Sequence, residues 1–409
     1  MPSVNPEILS WARKTAGLSL EEAAEKLGIH DSHGVNGAQR LAALEAGDNT
    51  PTRPTLLKMA QKYRRPLVAF YMSNVPRKGD RGQDFRTVPV GHSGAADALL
   101  DALVRDIRAR QSMVRAVLED ADEAVPLVFI GSASMSDGVP AIVASIRERL
   151  NLDLVSLRTH DRVSNQASAD EVFGLLRGQA EAAGIFVLLI GNLGSHHTAI
   201  DLETFRGFAL ADDVAPFVVI NDQDAHAAWS FTLVHELAHL WIGETGVSGA
   251  RFGSPVERFC NDVAGDFLLP TEELRQLDVD NLTNLEVAER RISEFANNRN
   301  VSHSMVAYKL YRVGSISQNI WRELDSSFRR KWIQARAAQR QSARDSEGEP
   351  NYYVVRRHRL GHALVNLVRR TMADGILSPS KAGKVLGVKP INVEALVNVA
   401  GQQHSGPAV

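Results

Sequence analysis

Residues 229–241 read WSFTLVHELAHLW, an apolar segment that contains the pattern HELAH at 235–239. The segment has no Gly or Pro, and its length suits a single buried helix. Residues four apart lie on one face of a helix, so His235 and His239 can bind the same metal ion. Glu236 lies one position further round, where its carboxylate can accept a proton from an attacking water molecule. Burying these three side chains without a metal would be costly, so the segment predicts a catalytic metal site.

The next predicted helix, residues 256–269, supplies a carboxylate for the third ligand position. Glu257 opens this helix after the Gly-bearing connection 243–254, which can turn the chain back antiparallel. Asn261 lies one helical turn later on the same face, where its amide can orient a histidine ligand by a hydrogen bond. We therefore predict Glu257 as the third ligand, with a solvated first-turn acid as the alternative.

Two other acids near the pattern fit less well. Asp266 lies nine residues past Glu257, about half a turn round the helix, and is a weak fallback. Glu244 lies too close to the end of the first helix to fold back comfortably. Two histidines and a carboxylate suit zinc or manganese, and Zn2+ is the default expectation.

The pattern of apolar residues along the chain predicts an α+β fold that is mostly helical. Short apolar runs predict three strands of a small sheet at 185–190, 207–210 and 216–221. Helices are predicted around them at 96–119, 140–150, 168–183, 225–242, 256–269 and 285–312.

Breaks in composition divide the chain into five parts. These are a helix-turn-helix bundle at 1–75, a connector with a long helix at 76–139, the domain with the metal site at 140–325, a basic linker at 326–350, and a small helical module at 351–409.

Residues 5–75 combine short helices with tight Gly turns, which is typical of a helix-turn-helix bundle. Ser19 opens the second helix with a capping-box pattern. The turn before the third helix is long and Gly-bearing and offers a single arginine. The side chains there that can read bases are Asn36, Gln39 and Arg40. Binding of DNA and docking of a partner protein both stay open for this unit.

The charge balance, 46 Lys and Arg against 48 Asp and Glu, argues against a chain that coats nucleic acid along its whole length. Cys260 is the single cysteine, which excludes an intramolecular disulfide, and we predict a structural role for it. The first residues lack a signal-peptide pattern, and the longest apolar runs are strand-sized. We therefore expect a cytoplasmic protein with no membrane partner.

The segments around the metal site resemble the ImmA/IrrE family of metallopeptidases. The matching stretches are FRGFAL at 205–210, APFVVIN at 215–221, FTLV at 231–234, VERFCN at 256–261 and LLP at 268–270. The resemblance implies a minimal zincin-like domain over 140–325 and supports Glu257, because the matching acid of the family is a zinc ligand. It also implies a protein substrate, since the better-understood members act on proteins that are often transcriptional repressors.

The N-terminal unit resembles the Xre-type helix-turn-helix that is often fused to such peptidases. The matching stretches are WAR at 11–13, LSLEEAA at 18–24, LEAG at 44–47 and PT at 51–52, with RPLVAFY at 65–71 and DFR at 84–86 recurring in the fused arrangement. The resemblance implies double-stranded DNA as a candidate partner of this unit.

Three functions are compatible with these features. The first is a regulatory zinc endopeptidase that cleaves a specific protein with Glu236 as general base. The second is a DNA-binding transcriptional regulator whose metal domain senses a ligand or partner with little proteolysis, and the third is a component of a toxin–antitoxin or phage-defence module. The intact Glu236 favours catalysis, because a scaffold needs both histidines but not the glutamate between them. The sequence does not predict the substrate, the activating signal or the oligomeric state.

Overall fold

The computed structural model describes residues 4–32, 34–76, 94–154, 157, 168–244, 246–248, 254–277, 284–345 and 351–398. Most of the predicted connector, 77–93, and residues 346–350 of the predicted linker lie outside these ranges. The chain forms two compact units, Met1–Asp106 with Asn192–Thr204, and Ile107–Gly191 with Phe205–Val409. Its described residues are mostly helical with one small sheet, which confirms the predicted α+β class.

The first unit contains a bundle of short helices. These are α1 (Pro6–Thr15), α2 (Leu20–Leu27), α3 (Gly37–Ala46) and α4 (Arg53–Lys62), followed by a 3-10 turn at Leu67–Tyr71. Ser19 and Glu22 form the predicted capping box at the start of α2. Inside the bundle, the Arg13 guanidinium lies 2.7 Å from the Glu45 carboxylate and joins α1 to α3. The apolar faces meet in a core of Ile8, Leu9, Leu41, Leu56, Met59, Tyr63 and Phe70.

The sheet has the strand order β1-β3-β2-β4. Its strands are β1 (Phe186–Leu189), β2 (Gly207–Leu210), β3 (Phe217–Ile220) and β4 (Gly246–Ser248). β1 pairs with β3 in parallel, and the other pairings are antiparallel. β1, β2 and β3 are buried along their whole length, which explains their continuous apolar sequence. β4 was not predicted, because three residues beginning with Gly carry little strand signal.

Helices surround this sheet in the second unit. The long α5 (Gly94–Asp120), which belongs to this unit from Ile107 onward, confirms the predicted helix at 96–119. Its residue Gln111 donates from Nε2 to the carbonyl oxygens of Leu210 and Ala215, at 3.0 and 2.9 Å, and so holds the turn between β2 and β3. The next helices are α6 (Val139–Leu150), α7 (Ala169–Ala182), α8 (His226–Trp241), α9 (Pro255–Leu268) and α10 (Thr271–Leu274).

The helical stretch predicted at 285–312 is two helices, α11 (Leu285–Asn297) and α12 (His303–Arg312). Asn300 has a φ of 54° between them, and Ser302 caps α12 by accepting a hydrogen bond from the Met305 N–H. A left-handed residue ends a helix, so the break has a local cause. The following helix is α13 (Gln318–Asp345).

The described part of the chain ends with four more helices. These are α14 (Tyr352–Leu360), α15 (His362–Ala373), α16 (Pro379–Leu386) and α17 (Val393–Asn398). They confirm the predicted helical character of this region, and we call residues 351–398 the C-terminal module. Among the residues that the structure describes, no helix combines the length and the apolarity needed to cross a membrane.

Candidate metal centre

The central helix α8 is buried along its last three turns and carries the HELAH pattern. His235 and His239 are 3% and 2% exposed, and Glu236 is fully buried. The Nε2 atoms of the two histidines are 3.2 Å apart, as their spacing of four residues predicts. Both imidazoles therefore present the same nitrogen to one point beside the helix.

The first turn of α9 brings a carboxylate to this point. Ser254 caps the helix by accepting a hydrogen bond from the Glu257 N–H at 3.1 Å. Oε2 of Glu257 lies 3.3 Å from Nε2 of His235, and Oε1 of the same carboxylate lies 3.4 Å from Nε2 of His239. Among the described residues, these three side chains form the one cluster of this kind that can hold a metal ion.

The electrostatics of the cluster are those of a cation site. Burial by itself raises the pKa of Glu257, but the hydrogen bonds of His235 and His239 hold it at about 2. Burial also opposes the charge on His239, yet the neighbouring Cys260 and Glu257 raise its pKa well above the ordinary value. The Glu257 carboxylate is thus held ionised beside His239, whose imidazole favours a positive charge at the same point.

The carboxylate of Glu236 packs against the first residue of β2. A Cβ atom added at Gly207 would lie 2.8 Å from Oε1 of Glu236 and 2.6 Å from Cγ2 of Thr232. Any side chain at this position would therefore displace α8 or the glutamate. The lack of a side chain at Gly207 is what lets the sheet approach the HELAH pattern so closely.

Backbone contacts and one buried tryptophan hold the carboxyl end of α8. Gly131 and Ala133 donate their N–H groups to the carbonyl oxygens of Leu240 and Trp241, both at 3.0 Å. The Trp241 indole donates to Ser145 Oγ at 2.9 Å, which ties the helix to α6. These contacts satisfy carbonyl groups that a helix end otherwise leaves without partners.

The remaining acids considered in the sequence lie away from the cluster. Asp266 pairs with Lys309 at 2.9 Å, and Glu244 is exposed just after α8. Cys260 is a buried free thiol beside His239. Asn261 is 7% exposed on α9, and among the described residues no side chain, Asn261 included, bonds to Nδ1 of His235 or of His239. Its orienting role stays a prediction.

The three candidate base-reading residues of the first unit are exposed at the start of α3. Asn36 and Gln39 cap this helix reciprocally, since each side-chain oxygen accepts a hydrogen bond from the other residue's N–H. Arg40 donates from Nη1 to the His30 carbonyl at 2.6 Å. The amide NH2 groups of Asn36 and Gln39 are not used in this cap.

Lys309 is a residue with a structural role that the sequence analysis did not single out. It is 7% exposed on α12 and reaches the end of α9. The sequence did contain a sign of its burial, because Lys309 lies four residues after Met305 and three after Val306, on the apolar face of its helix.

Comparison with known protein families agrees with this architecture. Residues 181–311 match the peptidase M78 family, described as the IrrE N-terminal-like domain, and residues 9–70 match a helix-turn-helix family. No curated protein and no solved structure shows a significant match to the chain. The chain thus has the ImmA/IrrE architecture, an Xre-type helix-turn-helix domain followed by a peptidase M78 domain.

Proposed function

We propose that the chain is a zinc-dependent endopeptidase that cleaves a specific protein. In this proposal His235, His239 and Glu257 bind the metal, and Glu236 is the general base. The observation that carries it is the convergence of their ligand atoms: the two Nε2 atoms are 3.2 Å apart, one Glu257 oxygen lies 3.3 Å from His235 Nε2, and the other lies 3.4 Å from His239 Nε2. Tetrahedral ligands at 2.0–2.1 Å from zinc lie roughly 3.3 Å from each other, so the two imidazole nitrogens and the Glu257 carboxylate suit one zinc ion.

The donor set also suits a catalytic metal. Two histidines and one glutamate leave a fourth position for water or substrate, as catalytic zinc sites require. Bound zinc would polarise the scissile carbonyl and acidify the attacking water. Glu236 would accept the proton of that water and pass it to the leaving amine. Its burial against Gly207 holds the carboxylate in one place and excludes bulk solvent from it.

Metal content of the purified chain tests the ligand assignment. We expect about one zinc per wild-type chain, because three protein ligands and an open fourth position are the donor set of catalytic zinc sites. His239→Ala and Glu257→Ala should lose the metal or bind it far more weakly. Glu244→Ala is the matched control, since this exposed acid lies just after the same helix and should keep the metal. A metal-free wild type after zinc addition would refute the proposal.

The catalytic assignment is tested with Glu236→Gln. This substitution keeps the size of the side chain and removes the base, so it should retain zinc and bind substrate without cleaving it. Proteins cross-linked to this variant in cells are then incubated with the wild-type chain. Cleavage by the wild type and not by Glu236→Gln supports the endopeptidase, whereas equal cleavage by both assigns it to a contaminant.

Binding of double-stranded DNA by the first unit is the second candidate function. It is favoured by the match of residues 9–70 to a helix-turn-helix family and by the exposure of Asn36, Gln39 and Arg40. Two basic residues close by already have partners, since Lys58 donates to the Leu27 carbonyl and Arg65 stacks on Trp11. Selection from a random DNA pool at several salt concentrations tests this function. If the Gln39→Ala variant binds the selected sequence more weakly than the wild type, base reading is supported. Absence of binding even at low salt would exclude DNA binding by this unit.

A further inference from the structure

The C-terminal module lies outside both family matches, yet it packs closely on the rest of the second unit. Its four helices enclose a small core of their own, which includes Leu364, Val365, Val368, Leu386 and Leu396. It therefore has the internal packing of a small domain. Its contacts with the helix that carries the HELAH pattern indicate what it contributes to the second unit.

A buried arginine of α7 holds the end of α14. Arg177 is 6% exposed and donates from Nη1 to the His358 carbonyl at 2.6 Å. Its Nη2 donates to the Val187 carbonyl of β1 at 2.5 Å and to the Arg359 carbonyl at 3.3 Å. One guanidinium thus joins the end of α14 to the edge strand of the sheet.

A buried glutamate of α7 holds the start of α15. Oε2 of Glu181 accepts hydrogen bonds from the N–H groups of His362 and Ala363, at 2.9 and 3.2 Å. Its other oxygen pairs with Arg177 at 3.2 Å. Gly361 lies between these contacts with a φ of 80°, and a Cβ there would lie 2.1 Å from Glu181 Oε1. The junction of α14 and α15 is therefore fixed against α7 by buried charges and a required glycine.

The side chain of Arg359 continues from this junction to the loop before α8. Its Nη2 lies 2.7 Å from Oδ2 of Asp222, whose side chain is 6% exposed. Asp222 also accepts a hydrogen bond from Gln223 Nε2 at 2.9 Å. A carboxylate buried to this extent depends on such partners, because an unpaired buried charge is costly.

The start of α8 lacks a side-chain cap. Its N-cap residue is Ala225, which provides no side-chain hydrogen bond to the first turn. The preceding loop is held by Asn221, which accepts from the Gln223 N–H at 3.0 Å, and by the Asp222–Arg359 pair. His358 of the module also faces Trp229 of α8, with ring centroids 6.5 Å apart. The amino end of α8 is thus contacted by the module, and also by α7 through the His226–Asp170 pair at 2.6 Å.

We propose that the C-terminal module positions the amino end of α8, with Arg359 as the positioning residue that acts through Asp222. Arg359 touches no reacting group in this role. It fixes the loop at 221–225, and the loop sets the position from which α8 presents His235 and His239. The metal readout of this proposal rests on the proposed function, and the readout of backbone motion does not.

The test compares full-length wild type with Arg359→Met, which keeps the length of the side chain and removes its charge. Amide hydrogen exchange is followed in α8 of the metal-free chain, and zinc affinity is measured by chelator competition. We expect exchange at residues 227–234 to be roughly ten-fold faster in the variant, because the helix start opens locally. Zinc binding should weaken roughly ten-fold, the low end of what loss of an orienting group causes.

Three variants separate positioning from general packing. Arg359→Lys should restore most of both readouts, and Arg369→Met, a change at an exposed arginine of α15, should leave them as in wild type. Asp222→Asn should behave like Arg359→Met, and the double variant should be no worse than either single one, since both remove the same contact.

Three results would overturn the proposal. They are unchanged exchange in α8 of Arg359→Met, whether or not its melting temperature falls, failure of Arg359→Lys to restore either readout, and additive effects in the double variant. A wild-type chain that binds no zinc would refute the proposed function, and the exchange measurement on the metal-free chain would still decide this proposal.

Discussion

The ammonium of Lys309 lies 2.9 Å from the carboxylate of Asp266, at the carboxyl end of the helix whose first turn carries Glu257. The same Nζ atom donates to the carbonyl oxygens of Gly265, at 3.1 Å, and of Leu269. Burial lowers the pKa of Lys309, while the hydrogen bond to Asp266 opposes that shift. A buried cation therefore satisfies the last carbonyl groups of α9, where the helix dipole favours positive charge.

Lys309→Met should destabilise the chain strongly, because it leaves the Asp266 carboxylate and two buried carbonyl groups without this donor. We expect a loss of about 3 kcal/mol in the free energy of unfolding, as for other broken buried pairs. Urea denaturation of the metal-free chain measures it. Lys331→Met is the matched control, since that lysine is 67% exposed and pairs with Glu289 at the surface. Equal effects of the two changes would contradict the buried role.

Much of the fold could be predicted because the local signals were strong. Ser19, Ser168 and Ser254 cap α2, α7 and α9 and mark where these helices begin. The short β4 depends on its pairing with β2 and carries a weak local signal. Arg177 and Glu181 are four residues apart on α7, a spacing that also describes a surface ion pair, so their burial could not be foreseen.

In the candidate site, too, some features follow from the sequence alone and others do not. The spacing of His235 and His239 requires only helix geometry, and it predicts their convergence without any knowledge of the fold. The approach of Glu257 depends on how the chain returns after α8, which residue spacing alone does not determine. The fit of Gly207 against Glu236 involves two elements far apart in sequence, and only the structure brings them together.

Gly207→Ala should impair catalysis more than metal binding. The added methyl group would lie 2.8 Å from Glu236 Oε1 and 2.6 Å from Thr232 Cγ2, so the glutamate must move. In the proposed peptidase we expect at least a roughly hundred-fold loss of single-turnover cleavage, because the base is misplaced. Zinc affinity should change little. Cleavage of the trapped substrate and chelator competition measure the two quantities.

Two further variants control for this result. Gly178→Ala adds a methyl group on α7 with no atom within 4 Å and should leave cleavage unchanged. Thr232→Ser removes Cγ2 and should recover part of the activity when combined with Gly207→Ala. Loss of zinc in step with activity would instead show that the substitution disrupts the whole centre.

Gly361→Ala should loosen the C-terminal module. Its φ of 80° is unfavourable for alanine, and its Cβ would lie 2.1 Å from Glu181 Oε1 and 2.9 Å from the Arg177 guanidinium. Gly375→Ala is the control, because it has a φ of 74° and no atom within 4 Å of an added Cβ. We expect about 1 kcal/mol of destabilisation from the backbone conformation alone in the control, and a clearly larger loss at position 361. Urea denaturation measures the free energy of unfolding of both variants. Equal losses in Gly361→Ala and Gly375→Ala would exclude crowding against the Arg177–Glu181 pair.

Acidification should weaken the turn between β2 and β3 through Asp212. Burial by itself raises the pKa of Asp212, but the N–H groups of Ala215 and Val214 and the Arg115 guanidinium lower it below the ordinary 3.8. A carboxylate with a lowered folded pKa stabilises the fold above its unfolded pKa, and the effect is lost as the pH falls through the folded value.

Asp212→Asn should therefore lower the melting temperature at pH 7, and its difference from wild type should shrink below about pH 4. Asp213→Asn, at a 56% exposed carboxylate that contacts the same arginine, should have a smaller effect at pH 7. A difference between wild type and Asp212→Asn that stays constant from pH 7 to pH 3 would contradict this assignment.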